Sequence, residues 1–155
     1  MQLKQRNANT YNAEPLPMGD NEVVTGHMGD CVSVIVLFNP NAMGNYASVR
    51  GYHGGGGLGN VNYNSLFAGV PNLADTRIIM VSGSLQNSHF ARNENQNELN
   101  NQRMNHGLGN AQVQYFHAMG NARIDRRGMV RPVTQHGNPP QHNVVQGHGN
   151  CCAIL

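Results

Sequence analysis

The chain has 155 residues, of which 39% are hydrophobic and only 12% charged, with a formal net charge of +2. That length fits one domain around a single core. So small a charge gives no electrostatic footprint for nucleic acid, and the absence of tryptophan, with few aromatics, removes a base-stacking platform.

In chain order, residues 1–20 are polar, contain Pro15 and Pro17 and lack an apolar signal-peptide segment; they are expected to form an irregular arm. Glu22 to Thr25 is a short strand candidate. Cys31 to Phe38 is the clearest strand, nearly continuous in apolar and β-branched residues, as for a strand buried on both faces. It is far too short to cross a bilayer. Asn39-Pro40-Asn41 supplies turn chemistry. Ala47 to His53 reads as the next strand, leaving into the Gly54–Gly57 run, which is expected to be a flexible flap. Thr76 to Val81 is a third strand, stopped by Ser82-Gly83.

His89 to Met104 carries no glycine or proline and is rich in Asn, Gln, Glu and Arg. It predicts a polar surface helix that turns Phe90, Leu99 and Met104 inward, ended by Gly107 and Gly109. Gln112 to Ala118, Ala122 to Asp125 and Met129 to Val133 read as three short strands, with Arg126-Arg127-Gly128 as a hairpin turn. From Gln135 onward Gly, Pro, Asn, Gln and His dominate, which predicts a mobile tail. The order of strands, helix and strands implies an α+β sandwich with mixed β-sheets and a covering helix. The expected organisation is an arm (1–20), one domain (21–135) and a tail (136–155).

The residues that could carry chemistry centre on Cys31. It follows Gly29 at the start of an apolar strand, and His53 ends the next strand, 22 positions on. A thiol nucleophile needs a base or imidazolium nearby to lower its pKa from about 8.5, and the imidazole needs a third group to orient it. Thr25 could provide that group. His27, His89, His106 and His117 compete with His53 as base. The alternative is a cysteine that is simply a small buried hydrophobe. The three cysteines are Cys31, Cys151 and Cys152. Adjacent cysteines rarely bridge, and one partner for Cys31 would strand a thiol, so all three are expected to be reduced, as in the cytoplasm. Their spacing does not suit a metal site, and no cofactor is called for.

The segment Thr25…Gly29-Asp30-Cys31-Val32-Ser33-Val34 resembles the signature of the CheD family of chemoreceptor glutamine deamidases. In that family a threonine precedes a cysteine in a Leu-Gly-Ser-Cys-Val-Ala-Val-like run, and a histidine follows. Asp75 to Ser84 resembles the family's Lys-Val-Phe-Gly-Gly-Ala strand. Ala91-Arg92-Asn93-Glu94-Asn95 is similar to its Gly-Glu-Arg-Asn helix start, and Tyr115 to Val130 to its glycine- and arginine-containing ending. The likeness runs in order from about residue 20 to 133. It implies a CheD-like sandwich, shared with the catalytic domain of cytotoxic necrotizing factor. It also implies Cys31 as nucleophile, His53 as general base and Thr25 as the imidazole's orienting partner, with a protein glutamine as substrate. Asp30 replaces the family's serine, and a carboxylate facing the sulfur would raise its pKa. The Cys31–His53 span is longer than in the family, which implies a loop insertion around Asn41 to Tyr46. A catalytically silent binding module and a thiol protease or transglutaminase-like enzyme are the rival expectations.

Cys152-Ala153-Ile154-Leu155 fits a C-a-a-X box for geranylgeranylation of Cys152, with Cys151 available for a second acyl chain. A box so used would place the protein at a host membrane as a secreted effector; otherwise a cytoplasmic location is expected. The Gly54–Gly57 run lacks the Gly-Lys-Ser/Thr of a phosphate loop. Arg123, Arg126 and Arg127 read as a solvated hairpin face.

Overall fold

The structure, a computed structural model, describes residues 22–131 together with the backbone of Glu14–Pro15 and Thr134–His136. The fold is α+β. A mixed sheet has the order β1-β4-β3-β5-β6-β9 and a smaller one the order β2-β7-β8. The strands of the large sheet are β1 (Glu14–Pro15), β3 (Cys31–Pro40), β4 (Tyr46–Gly55), β5 (Arg77–Ser82), β6 (Gln112–His117) and β9 (Thr134–His136). The small sheet, β2 (Glu22–Val24), β7 (Arg123–Asp125) and β8 (Val130–Arg131), is antiparallel throughout. The described residues also form helices α1 (Tyr63–Leu66) and α2 (His89–Asn105).

β3 is central because its sequence can be buried on both faces. Its residues Cys31 to Phe38 are all buried. Alternation sends Cys31, Ile35 and Leu37 to one face, where they join Val49, Ile79, Val81 and Phe116 and meet Val23 and Ile124 of the small sheet. Val32, Val34, Val36 and Phe38 go to the other face and pack with Tyr52, Tyr63, Leu66 and Leu99. The molecule is thus layered as small sheet, large sheet and helix, with one apolar cluster in each gap.

β5 and β6 are parallel, with Arg77 opposite Gln112 and Ser82 opposite His117. Such a pair requires a crossover, and the 3-10 turn Ser84–Gln86 and α2 supply it. Ser88 caps α2, its side chain accepting from the Ala91 N–H at 3.2 Å. Gly107 ends it in the left-handed conformation, φ +71°.

The helix face differs from the expected one. Leu99 is fully buried, but Phe90 and Met104 are 72% and 56% exposed. The buried stripe pairs Leu99 with Asn95 one turn earlier, so a polar residue occupies an inward position that the apolar pattern assigned to Phe90 and Met104.

The Cys31–His53 span is an antiparallel hairpin. β3 and β4 are each ten residues long and joined by a short turn. Asn39 has φ +56°, and the Asn41 side chain accepts from the Met43 and Asn45 N–H groups, both at 3.0 Å. Glu14–Pro15 adds to the β4 edge where an irregular arm was expected. Among the strands expected late in the chain, Met129–Val133 is seen as Val130–Arg131. The remainder of the arm, the tail beyond His136, Cys151, Cys152 and the C-a-a-X box lie outside the described residues. No helix among the described residues is long and apolar enough to cross a membrane.

Candidate functional site

Cys31 opens β3 with Gly55 of β4 opposite, and Ser33 faces His53. Side chains directly across an antiparallel pair share a face, and so do residues two apart on one strand. Cys31, Ser33 and His53 therefore lie on the same face, with His53 on the diagonal from Cys31. The Gly56 N–H donates to the Asp30 carbonyl at 2.9 Å. Asp30 and Gly56 are thus a hydrogen-bonded pair, and Cys31/Gly55 and Ser33/His53 are the close, non-hydrogen-bonded pairs. The other neighbour of Cys31 is also glycine: the Gly83 N–H donates to the Cys31 carbonyl at 2.8 Å. Glycines thus flank the cysteine on both neighbouring strands, and His53 is the titratable residue diagonally across from it.

The pair is enclosed. Cys31 is fully buried and His53 is 6% exposed. The Met28–Gly29 backbone crosses above Gly83, and the Ser33 hydroxyl donates to Met28 Sδ at 3.5 Å. Cys31 is disulfide-bonded, which corrects the expectation that all three cysteines are reduced. Counting cysteines could not detect this: an odd number leaves one over whichever pair forms.

Thr25 bonds to Gly26 and Ala122. It is fully buried; its Oγ1 donates to the Gly26 carbonyl at 2.9 Å and accepts from the Ala122 N–H at 3.0 Å. Its own N–H donates to the Ala122 carbonyl at 3.0 Å. Thr25 ties the end of β2 to the start of β7.

Of the rival histidines, His117 is on the opposite sheet face with Ser82. His89 is exposed at the start of α2, and His106 packs on Phe67 at the far end of that helix. His27 lies in the loop that leads into Cys31. The His117 Nδ1–H donates to the Ser82 carbonyl at 3.3 Å. Burial pushes the His117 pKa below the ordinary imidazole value, and the Ser82 bond partly offsets this. The folded state then binds fewer protons than the unfolded chain near and below the unfolded pKa of about 6.5. Stability contributed by neutral His117 is therefore complete above that value and lost as pH falls through it. Urea midpoints measured between about pH 7.5 and 5 should decline in the wild type and decline less in His117→Gln.

The glycine run is not a loose flap. Gly54 and Gly55 continue β4, while Gly56 and Gly57 turn at φ +73° and +93°, conformations that favour glycine. The turn is held by the Asp30 carbonyl on one side and by Asn95 Oδ1, which accepts from the Leu58 N–H at 3.2 Å, on the other. Asp30 itself points away from the thiol. Its Oδ1 accepts from Gln86 Nε2 at 2.7 Å, and Gln86 Oε1 accepts from Asn95 Nδ2 at 3.3 Å. On that α2 side an open groove of about 450 Å³ runs between the glycine turn, Gln86 and the helix positions Asn95, Glu98 and Asn101. Among the described residues no cluster of three or more His, Cys, Asp or Glu side chains is placed to hold a metal ion.

Sequence reasoning missed the 3-10 turn, which is short and has no periodic signal, and with it the part played by Gln86. Arg123, expected on a solvated hairpin face, is exposed there and forms an ion pair with Glu22. The chain matches no family model and no curated protein sequence.

Proposed function

We propose that the protein is a cysteine-dependent amidohydrolase that converts glutamine side chains of a protein substrate to glutamate. One observation carries the reading: Cys31 and His53 lie on one face of adjacent strands, in close-pair registers, with glycines flanking the cysteine. In the reduced enzyme His53 takes the Cys31 proton, and the thiolate attacks the substrate's carboxamide carbon. The C–N bond breaks, and ammonia leaves with the proton returned by His53. Water, deprotonated by the same imidazole, then cleaves the thioester, giving glutamate and regenerating the thiol. The disulfide at Cys31 makes reductant a requirement for turnover. Chemoreceptors and, for an effector acting inside a host cell, host proteins are the candidate substrates, as the resemblance to CheD and the necrotizing-factor fold suggests.

The full burial and disulfide bonding of Cys31 favour a second reading, a catalytically silent module that keeps the fold and binds a protein partner. The two separate in one experiment. Candidate glutamine-bearing proteins are incubated with the chain, with and without reductant, while ammonia and substrate mass are followed. Reductant-dependent ammonia release with a mass gain of about one dalton per site supports the hydrolase. Binding without either supports the module, and peptide-bond cleavage would point to a thiol protease.

A further inference from the structure

The side-chain chain from Leu58 to Asp30 has a fixed direction. Carboxamide orientation is normally a matter of assignment, but here both ends are unambiguous. The Leu58 N–H can only donate, so it faces Asn95 Oδ1. The Asn95 NH2 then faces Gln86 Oε1. That leaves the Gln86 NH2 for the Asp30 carboxylate, an acceptor. Asn95 is nearly fully buried on the inward stripe of α2, so the chain is anchored in the core, and a charge-assisted hydrogen bond terminates it.

We propose that Gln86 is a positioning residue for the nucleophile, holding the Asp30 carboxylate on the α2 face of the sheet and so away from the Cys31 sulfur on the opposite face. This rests on the reading of Cys31 as a nucleophile, for which a thiolate near neutral pH is required. Asp30 is the residue before Cys31, and a carboxylate swung toward the sulfur disfavours the thiolate. On the sulfur's side β4 presents His53. β5, β6 and the segment 118–124 turn Val81, Phe116, Ala118, Ala122 and Ile124 to it. Asp30 is thus the described anion nearest in sequence, and Gln86 governs its direction.

The test uses the full chain with Cys151→Ser and Cys152→Ser, so that Cys31 is its one thiol. Thiolate absorbance in the ultraviolet is titrated against pH. Gln86→Met keeps the volume and removes the donor; Gln86→Ala is a second neutral variant, and thermal unfolding checks that both fold. The midpoint is expected to rise by roughly half a unit or more in both, and Asp30→Asn added to Gln86→Met should return it to the parent value. A merely structural role for Gln86 would not be rescued by removing a charge. An unchanged midpoint in folded Gln86 variants, or no return with Asp30→Asn, overturns the proposal. The parent midpoint judges the other reading separately: a value at or above about 8.5 counts against an activated nucleophile, whatever the variants do.

Discussion

Replacing Cys31 by alanine is expected to reduce ammonia release by about 10⁴-fold or more, because the proposed mechanism forms its thioester on Cys31. That loss corresponds to about 5.5 kcal/mol of transition-state stabilisation. Cys31→Ser should be nearly as severe, since a hydroxyl is much harder to ionise than a thiol. His53→Ala should cost about 10²- to 10⁴-fold, the usual contribution of a positioned acid–base, and the double variant should be little worse than Cys31→Ala, since the two groups act as a unit. Initial rates of ammonia formation under reducing conditions measure all of these. The diagonal register is why the two residues are expected to act together: His53 lies two positions from the glycine opposite Cys31. Activity that survives in Cys31→Ala would remove the cysteine from the mechanism.

The largest stability effect should come from Gly83→Ala. A Cβ at this position would fall 2.2 Å from the Gly29 carbonyl oxygen and 2.8 Å from the backbone carbons of Gly29 and Met28. All three are main-chain atoms, so a rotamer change cannot relieve the clash. The chain must move, which strains the Gly83-to-Cys31 bond and the Leu85 N–H donation to Gly29 at 3.2 Å. Overpacking of this kind costs about 3 kcal/mol, and the melting temperature should fall by roughly 10 °C. Gly59→Ala is the control: a Cβ there meets nothing within 4 Å, and its melting temperature should stay close to wild type. Thermal melts followed by circular dichroism decide the comparison.

How much of this was legible in the sequence depended on whether a signal was local. β3 could be recognised because seven consecutive residues, Val32 to Phe38, admit burial on both faces. α2 could be recognised because a run without glycine or proline follows Ser88. Its inward face could not, since the helix has too few apolar residues to define a stripe and Asn95 occupies a core position because it bonds across to Leu58. Gly54 to Gly57 suggested flexibility by composition, yet long-range partners, the Asp30 carbonyl and Asn95, fix it. Cys31 and His53 were correctly placed on neighbouring strands because the hairpin between them is local. Thr25 was assigned to the imidazole, but its partner is Ala122, far along the chain, and no local pattern announces that contact.

The Thr25–Ala122 junction bears on how the molecule assembles. β2 and β7 come from opposite ends of the described chain, and their register, Glu22 opposite Asp125, closes a loop that contains all of the large sheet's central strands. Pairing over such a separation costs chain entropy before it returns any contact energy. The small sheet is thus a clasp that gains its partners only after β3, β4, β5 and β6 have come together. Cys31 lies beneath that clasp, in the cluster shared by both sheets. A sulfur beneath a sheet closed by so distant a pairing is expected to be accessible to thiol reagents before the clasp closes and shielded after it.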